Sequence, residues 1–433
     1  MVYTRRILAY LRLSKVFVLR GLMGVEIVEL PNGIRIVVEP MEGAKSAVLA
    51  MRFGFGAKDD PHDRLGMARI AEDVLFKGTP KRDAREVFDA FDTLGIRRGS
   101  STAVEHTQFQ AQFLPEHFRS VCELFEETFS TASFPDSEVE VTKAITLEEL
   151  KRLEDSPIQQ AMLLTFKAAL GEPMGRVPMG DAETLELITS AGVRRFWTEH
   201  CRPESLIVSV AGGVDHQQAI DTIQEVFGGW ASDGPADPDD HTVTIVDRQV
   251  HHVKESEQAH IGIVFGSVAR GHELYYPAQV AIAVLSGSGS SRLFTEVREK
   301  RGLAYSVSAF YRARRKGGLI ALYAGTTAER AKETLRVCRH EVNRLAEDVT
   351  QEELDRAKTV LKGGLFTSGD LPEGRAGSLV EDVFLDGNTR TIQEIANNVD
   401  AVTLNQIFAY LEAHPPHPQT VVTLGPQPLA SDA

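Results

Sequence analysis

Three ionisable side chains, Arg69, Glu72 and Asp73, stand at i, i+3 and i+4 inside the stretch 66–79, which reads GMARIAEDVLFKGT. On a helix that spacing turns all three to one face. Met67, Ala68, Ile70, Ala71, Val74, Leu75 and Phe76 surround them. A half-buried helix that presents a guanidinium and two carboxylates is an internal ion pair or a site. A forked donor facing carboxylates makes strong charge-assisted bonds, so the triplet can hold itself together. As a metal site it is poor, because a guanidinium stays protonated and has no lone pair to offer. A second pair, Arg298 and Tyr305, stands seven positions apart in the segment 290–306. A cationic donor and a phenol can hydrogen-bond the carbonyls of an extended peptide and polarise one of them. From spacing alone, a solvated arginine and a strand-packed tyrosine is the plainer reading.

The stretch resembles the motif helix of the pitrilysin/insulinase metallopeptidases, the inverzincins, whose signature is H-x-x-E-H. In that family the two histidines bind zinc and the glutamate polarises the attacking water. Laid on this sequence, Arg69 and Asp73 occupy the histidine positions and Glu72 is the glutamate. The family's third ligand is a distant glutamate, and the interval from Asp73 to Glu149 matches its spacing. The frame is intact and both imidazoles are gone. Arg69 then supplies in the metal hole the positive charge that zinc would bring, and it would repel a hard cation from Glu72, Asp73 and Glu149. The expectation is no metal bound by this chain. The segment holding Arg298 and Tyr305 is similar to the family's C-terminal arginine and tyrosine, which reach the substrate beside the metal, and the match raises the substrate-binding reading above the plainer one.

The elements that must position these groups come from an ordinary globular composition, 42% hydrophobic and 25% charged. At 433 residues the chain is long enough for two or more domains. A net charge of −14 argues against nucleic acid or an anionic membrane as a bulk partner. Cys122, Cys201 and Cys338 are far apart and suggest neither a disulfide framework nor a cysteine zinc site. A reducing compartment follows as the default, and the cytoplasm is the expected location. Arg5, Arg6, Arg12, Lys15 and Arg20 make residues 1–23 a basic extension. It is either a targeting segment, which would move the protein to the periplasm or an organelle, or sequence upstream of a true start at Met23. The second is preferred.

After that extension, 26–30 and 34–38 alternate about Pro31-Asn32-Gly33 as a hairpin. Strands are expected at 46–55, at 99–113 with one slip in phase, and at 206–212. Helices are expected at 88–94, 118–131 and 136–153. Residues 231–242 are a polar, acidic linker. Beyond it the order repeats: 260–266 echoes 47–54, 284–287 echoes 74–78, and 351–365 and 420–424 echo 138–153 and 206–210. The expected fold is therefore α+β in two homologous halves, 24–230 and 243–427, each a mainly antiparallel mixed sheet covered by helices, with a tail at 428–433. The resemblance implies the same architecture, the halves facing one another across a cleft.

Gly287 to Ser291 lacks the lysine of a phosphate loop and reads as a turn. His251, His252 and His260 read as surface residues, and Glu105 and His106 as strand packing. In the family, enzymes are often pairs of homologous chains, one carrying zinc and the other helping to enclose the peptide. The resemblance therefore implies a non-catalytic subunit of a heterodimeric zinc metallopeptidase, lending Arg298 and Tyr305 to a homologous catalytic partner that holds zinc. The strand at 99–113 offers an edge for peptide pairing. Two other readings stay open: a structural scaffold resembling respiratory-complex core proteins, and a zinc-dependent endopeptidase using Asp73 and Glu149 with an unforeseen ligand.

Overall fold

The computed structural model describes residues 25–231 and 241–429, together with the backbone of 17–19. The basic charges at 1–23, most of the 231–242 linker and residues 430–433 lie outside them. The strands are β1 (Phe17–Leu19), β2 (Ile27–Glu29), β3 (Arg35–Pro40), β4 (Ala47–Phe53), β5 (Arg97–Thr102), β6 (Thr107–Phe113), β7 (Ile207–Gly212), β8 (Arg248–Val253), β9 (Gln258–Ser267), β10 (Ala304–Arg314), β11 (Gly317–Thr327) and β12 (Gln419–Gly425). They form two sheets, ordered β1-β2-β3-β7-β4-β6-β5 and β10-β11-β9-β12-β8. Among the described residues only β3/β7 and β8/β12 are parallel; every other neighbouring pair there is antiparallel. Matching β3-β7-β4-β6-β5 to β8-β12-β9-β11-β10 superposes order and direction strand for strand. The repeat read from the sequence is thus a repeat of topology.

Pro31-Asn32-Gly33 makes the expected turn, with Gly33 at φ +87°, where a Cβ would be strained. The segment 99–113 differs from expectation. It is a hairpin of β5 and β6, in which Thr102 faces Thr107 and the Ala103 N–H donates to the His106 carbonyl at 2.8 Å. The slip in the alternation was the turn. β5 is a sheet edge, bonded to β6 on one side only among the described residues.

β4 is buried along its whole length because both faces of its sheet are covered. On one face Phe53 meets Phe109, Phe129 and Trp197, rings that line an aromatic core beneath the helices. On the other, Val48 and Ala50 pack with Ala376, Leu379, Val380 and Val383 of the helix Pro372–Asp386. The second sheet is layered alike: Val264, Leu319 and Ala321 pack with Ala169 and Phe166 of the helix Pro157–Leu170.

These two helices are exchanged between the halves. The compact units are 1–147 with 178–239 and 368–391, and 148–177 with 240–367 and 392–433. The expected halves, 24–230 and 243–427, were contiguous; each folded unit instead takes one helix from the other half of the sequence. Periodicity shows that a helix has an apolar face, not which of two similar sheets the face will cover. No helix among the described residues is long and apolar enough to cross a membrane.

Candidate functional site

The motif helix is Met67–Val74. Its start is fixed by Asp60, buried, whose carboxylate accepts from the N–H of Gly66 at 2.7 Å and of Ala68 at 2.8 Å. These are donors that a helix end otherwise leaves unsatisfied. Gly66 has φ +93°, and a Cβ there would lie 2.9 Å from the Met179 carbonyl. Met67, Ala68, Ile70, Ala71 and Val74 face the interior. Glu72 goes in with them and is 1% exposed.

The three expected groups do meet. Arg69 Nε lies 2.7 Å from Asp73 Oδ2, and Nη1 lies 3.5 Å from Glu72 Oε2. Thr102, on β5, donates to the same Glu72 oxygen at 3.1 Å. The sequence reading missed Thr102, because strand-to-helix packing across thirty residues leaves no local signal. Glu149 lies on the helix Asp136–Glu154, beyond the point where that helix passes into the second unit, with Arg152 Nη2 at 3.9 Å. Catalytic zinc needs three lone-pair ligands and one open position. Here one ligand position is a guanidinium lying on the carboxylate that fills the other, and the residues do not fit the ion. Among the described residues no group of three or more His, Cys, Asp or Glu side chains is arranged to hold a metal.

Arg298 lies in a wide helical turn, Phe294–Glu299, exposed, its guanidinium 4.9 Å from the Phe294 ring centre. It makes no ion pair among the described residues. Tyr305 follows on β10, at an irregularity where the register against β11 shifts between Ala304 and Ser306. Such a bulge re-aims a side chain, and Tyr305 is 46% exposed. Its hydroxyl donates to Gln258 Oε1 at 3.2 Å. The structure gives no bond between Arg298 and Tyr305; it leaves both on the surface of one unit. His260 corrects the surface reading of the histidines. It is 2% exposed, with Nδ1 2.7 Å from the Tyr323 hydroxyl. Burial first, then Lys254, holds its imidazole below the usual range. In the first unit a groove of about 400 Å³ adjoins the β5 edge, lined by Arg97, Ser101, Gln108, Gln110, Gln112 and Glu373.

Residues 35–176 match the family model described as insulinase (peptidase family M16), and residues 188–361 match that of the peptidase M16 inactive domain. Among curated proteins the chain is 30% identical to an uncharacterized zinc protease of Bacillus subtilis over 382 residues, 87% of this chain and 92% of the relative. It is 31% identical to one of Mycobacterium tuberculosis over 393 residues, 88% of each. Among solved structures it is similar to a peptidase M16 inactive domain from Pseudomonas fluorescens (TM-score 0.87, 21% identity, 94% of this chain and 98% of the other). It is also similar in fold to a chain of complex III from Candida albicans (TM-score 0.80, 18% identity, 93% and 96%).

Proposed function

The chain belongs to the insulinase family of peptidases, M16, its second part being of the inactive-domain type, and from that premise we propose that it is a zinc-less subunit of a two-chain metallopeptidase. It binds an extended peptide and lends Arg298 and Tyr305 to the zinc site of a homologous partner. The observation that carries this reading is the Arg69–Asp73 ion pair at 2.7 Å where the family holds a metal. Two further features support it. Arg298 and Tyr305 stand exposed on one segment, and β5 is an open edge to which a peptide can add as a strand.

The partner's zinc would activate the water. This chain's residues would do the rest of the work on the substrate: Arg298 and the Tyr305 hydroxyl donate to peptide carbonyls, holding the chain and stabilising charge on the oxygen of the bond being cut. Glu72, buried and bound to Arg69 and Thr102, has no part in the chemistry.

Hydrolysis of a peptide by the catalytic partner should rise well above the partner alone when this chain is added. Arg298→Ala or Tyr305→Phe should lower the rate of the mixture by about 100- to 1,000-fold, the scale of losing a donor to a developing oxyanion. Glu72→Gln should change it less than about twofold. Sensitivity to Glu72 with indifference to Arg298 and Tyr305 would reject the reading in favour of an enzyme in its own right, as would stoichiometric zinc lost on chelation. No affinity for peptide, alone or paired, would leave the scaffold reading.

A further inference from the structure

In the first unit the helix Pro372–Asp386 covers β4 and β7 through contacts such as those to Val48 and Ala50. A helix about 10–12 Å across spans little more than two strand spacings of about 4.8 Å, so β6 and β5 continue beyond it. Val48 is opposite Gln112, Ala50 opposite Gln110 and Arg52 opposite Gln108. Arg97, Gly99 and Ser101, all exposed, pair in turn with the same three glutamines. These side chains therefore share the face that the helix covers, and they floor the groove of about 400 Å³, with Glu373 of the helix's first turn also lining it. Arg98, one position out of phase, turns to the opposite face, where its guanidinium lies 4.1 Å from the Phe76 ring centre.

Gly99 is the odd residue in this strand. A glycine inside a strand weakens it, and it marks a bulge, a tight bend or a place where a ligand or another backbone comes close. The register of β5 against β6 runs through Gly99 without a shift, and its φ is not positive. A Cβ there would meet nothing within 4 Å, so no group of this chain requires the gap. Beside it the Gln110 amide makes no hydrogen bond among the described residues. Its neighbours are engaged: Gln108 accepts from Arg52 Nε at 3.0 Å, and Gln112 reaches the Ser46 hydroxyl at 3.5 Å. A strand added to the open β5 edge would lie two spacings, about 10 Å, from β6. Its residue opposite Gly99 would send its side chain to the same face, and only a long side chain would cross the glycine to Gln110.

We propose that the groove over Gly99 is a specificity subsite that takes a glutamine side chain from a peptide paired with β5. This rests on the reading that the chain binds an extended peptide, and it names what that peptide carries. A primary amide both donates and accepts, so it bonds to the Gln110 amide in either sense, as amides do in ladders across strands. The charges at the groove favour a neutral occupant. Arg97 and Glu373 carry opposite signs and neither is in an ion pair among the described residues, so a lysine or a glutamate gains from one and loses to the other. The volume lies near the lower end of ligand sites, about 300–1,000 Å³, which is room for side chains and not for a folded domain.

The test is fluorescence anisotropy of the full chain with a labelled decapeptide of alternating threonine and serine that carries one guest residue near its centre. A single guest lets the peptide slide until that residue finds the subsite, so the register need not be known beforehand. The glutamine peptide should bind about three- to tenfold tighter than those carrying leucine, lysine or glutamate, the scale of a neutral hydrogen bond. Gln110→Ala should erase the difference. Gly99→Thr should erase it too, by closing the gap, with the melting temperature equal or higher because threonine suits a strand. A preference for any other guest overturns the proposal; one for lysine that disappears in Glu373→Gln would show a groove that reads charge. Four guests that bind alike, or a glutamine preference that survives both variants, also overturn it and leave the peptide-binding reading standing. If no peptide of the set binds, with or without the catalytic partner, both readings fall together.

Discussion

Arg69 shows how far a single position can be argued. Its spacing from Glu72 and Asp73 was legible in the sequence, and the helix places the three groups as i, i+3, i+4 geometry requires. What the spacing could not say is how unequally they are buried: Glu72 is 1% exposed while the side chains of Arg69 and Asp73 are 26% and 28% exposed. A buried carboxylate stripped of its cation costs more than the pair contributes. Arg69→Ala should therefore destabilise the protein by about 1–3 kcal/mol, discounted for the water that reaches the guanidinium. Adding Glu72→Gln to it should recover part of that loss, since the amide removes the stranded charge and still bonds to Thr102. Urea denaturation of the two single variants and the double variant gives the coupling directly. Additive losses would mean that Arg69 matters only through its contact with Asp73.

Between elements, local pattern gave out where two strands or helices had to recognise each other. The 99–113 segment alternates well enough to read as one strand, and its turn hid in a single slip of phase because Ala103 and Val104 are as apolar as strand residues. The helix Phe118–Thr131 was legible to the residue, since fourteen positions of 3.6 periodicity outweigh any local ambiguity. Arg292 was legible only as the residue after a turn. In the structure it is buried and donates to four acceptors: Nε and Nη2 to the Glu353 carboxylate at 2.7 and 2.8 Å, Nη1 to the Asp348 carboxylate at 2.7 Å, and Nη2 also to the Asp348 carbonyl at 3.0 Å. It ties the helix Ala331–Asp348 to the helix Gln351–Gly369. Burial works against the charge on both acids, yet the guanidinium bonds, from Arg344 as well at Asp348, hold both below the usual carboxylate range. Groups with depressed folded-state values contribute stability that is complete above the unfolded values, about pH 4, and is lost as the pH falls through the folded ones. Arg292→Met should thus lower the melting temperature most at neutral pH, and the gap from the parent should close on acidification below about pH 4. A gap that widens in acid would show that the bridge does not act through these carboxylates.

For the whole molecule, the repeat was visible in the order of its segments, while the exchange of helices was not. Pro157–Leu170 and Pro372–Asp386 occupy equivalent places, one over β9 and β12, the other over β4 and β7. Each could cover either sheet as far as its apolar stripe reveals. What commits Pro372–Asp386 is ionic. Arg375 is 1% exposed, its Nε 2.7 Å from Glu39 Oε2 and its Nη2 2.8 Å from the Arg390 carbonyl. Asp382, with no exposed surface, takes Arg390 at 2.7 Å. A chain divided in the linker near residue 241 therefore separates each sheet from a helix it needs. The N-terminal fragment would expose the apolar patch of Val48, Ala50, Ile207 and Ala211 that Leu379, Val380 and Val383 otherwise cover. Expressed alone, each fragment should be insoluble or collapsed without fixed packing; expressed together, they should copurify as one folded species. Arg375→Ala in the C-terminal fragment should weaken that reassembly by about 3 kcal/mol or more, the scale of breaking a buried pair from one side. Exchange of an exposed pair such as Arg356–Glu352, its side chains 45% and 82% exposed, should change it by less than about 0.5 kcal/mol. Two fragments that each melt cooperatively on their own would mean that contiguous halves, not exchanged ones, are the folding units. The measurement bears on the proposed function as well: Arg298 and Tyr305 belong to the unit that takes Pro157–Leu170 from the first half of the sequence, so the fragment that carries them should need the first half in order to fold.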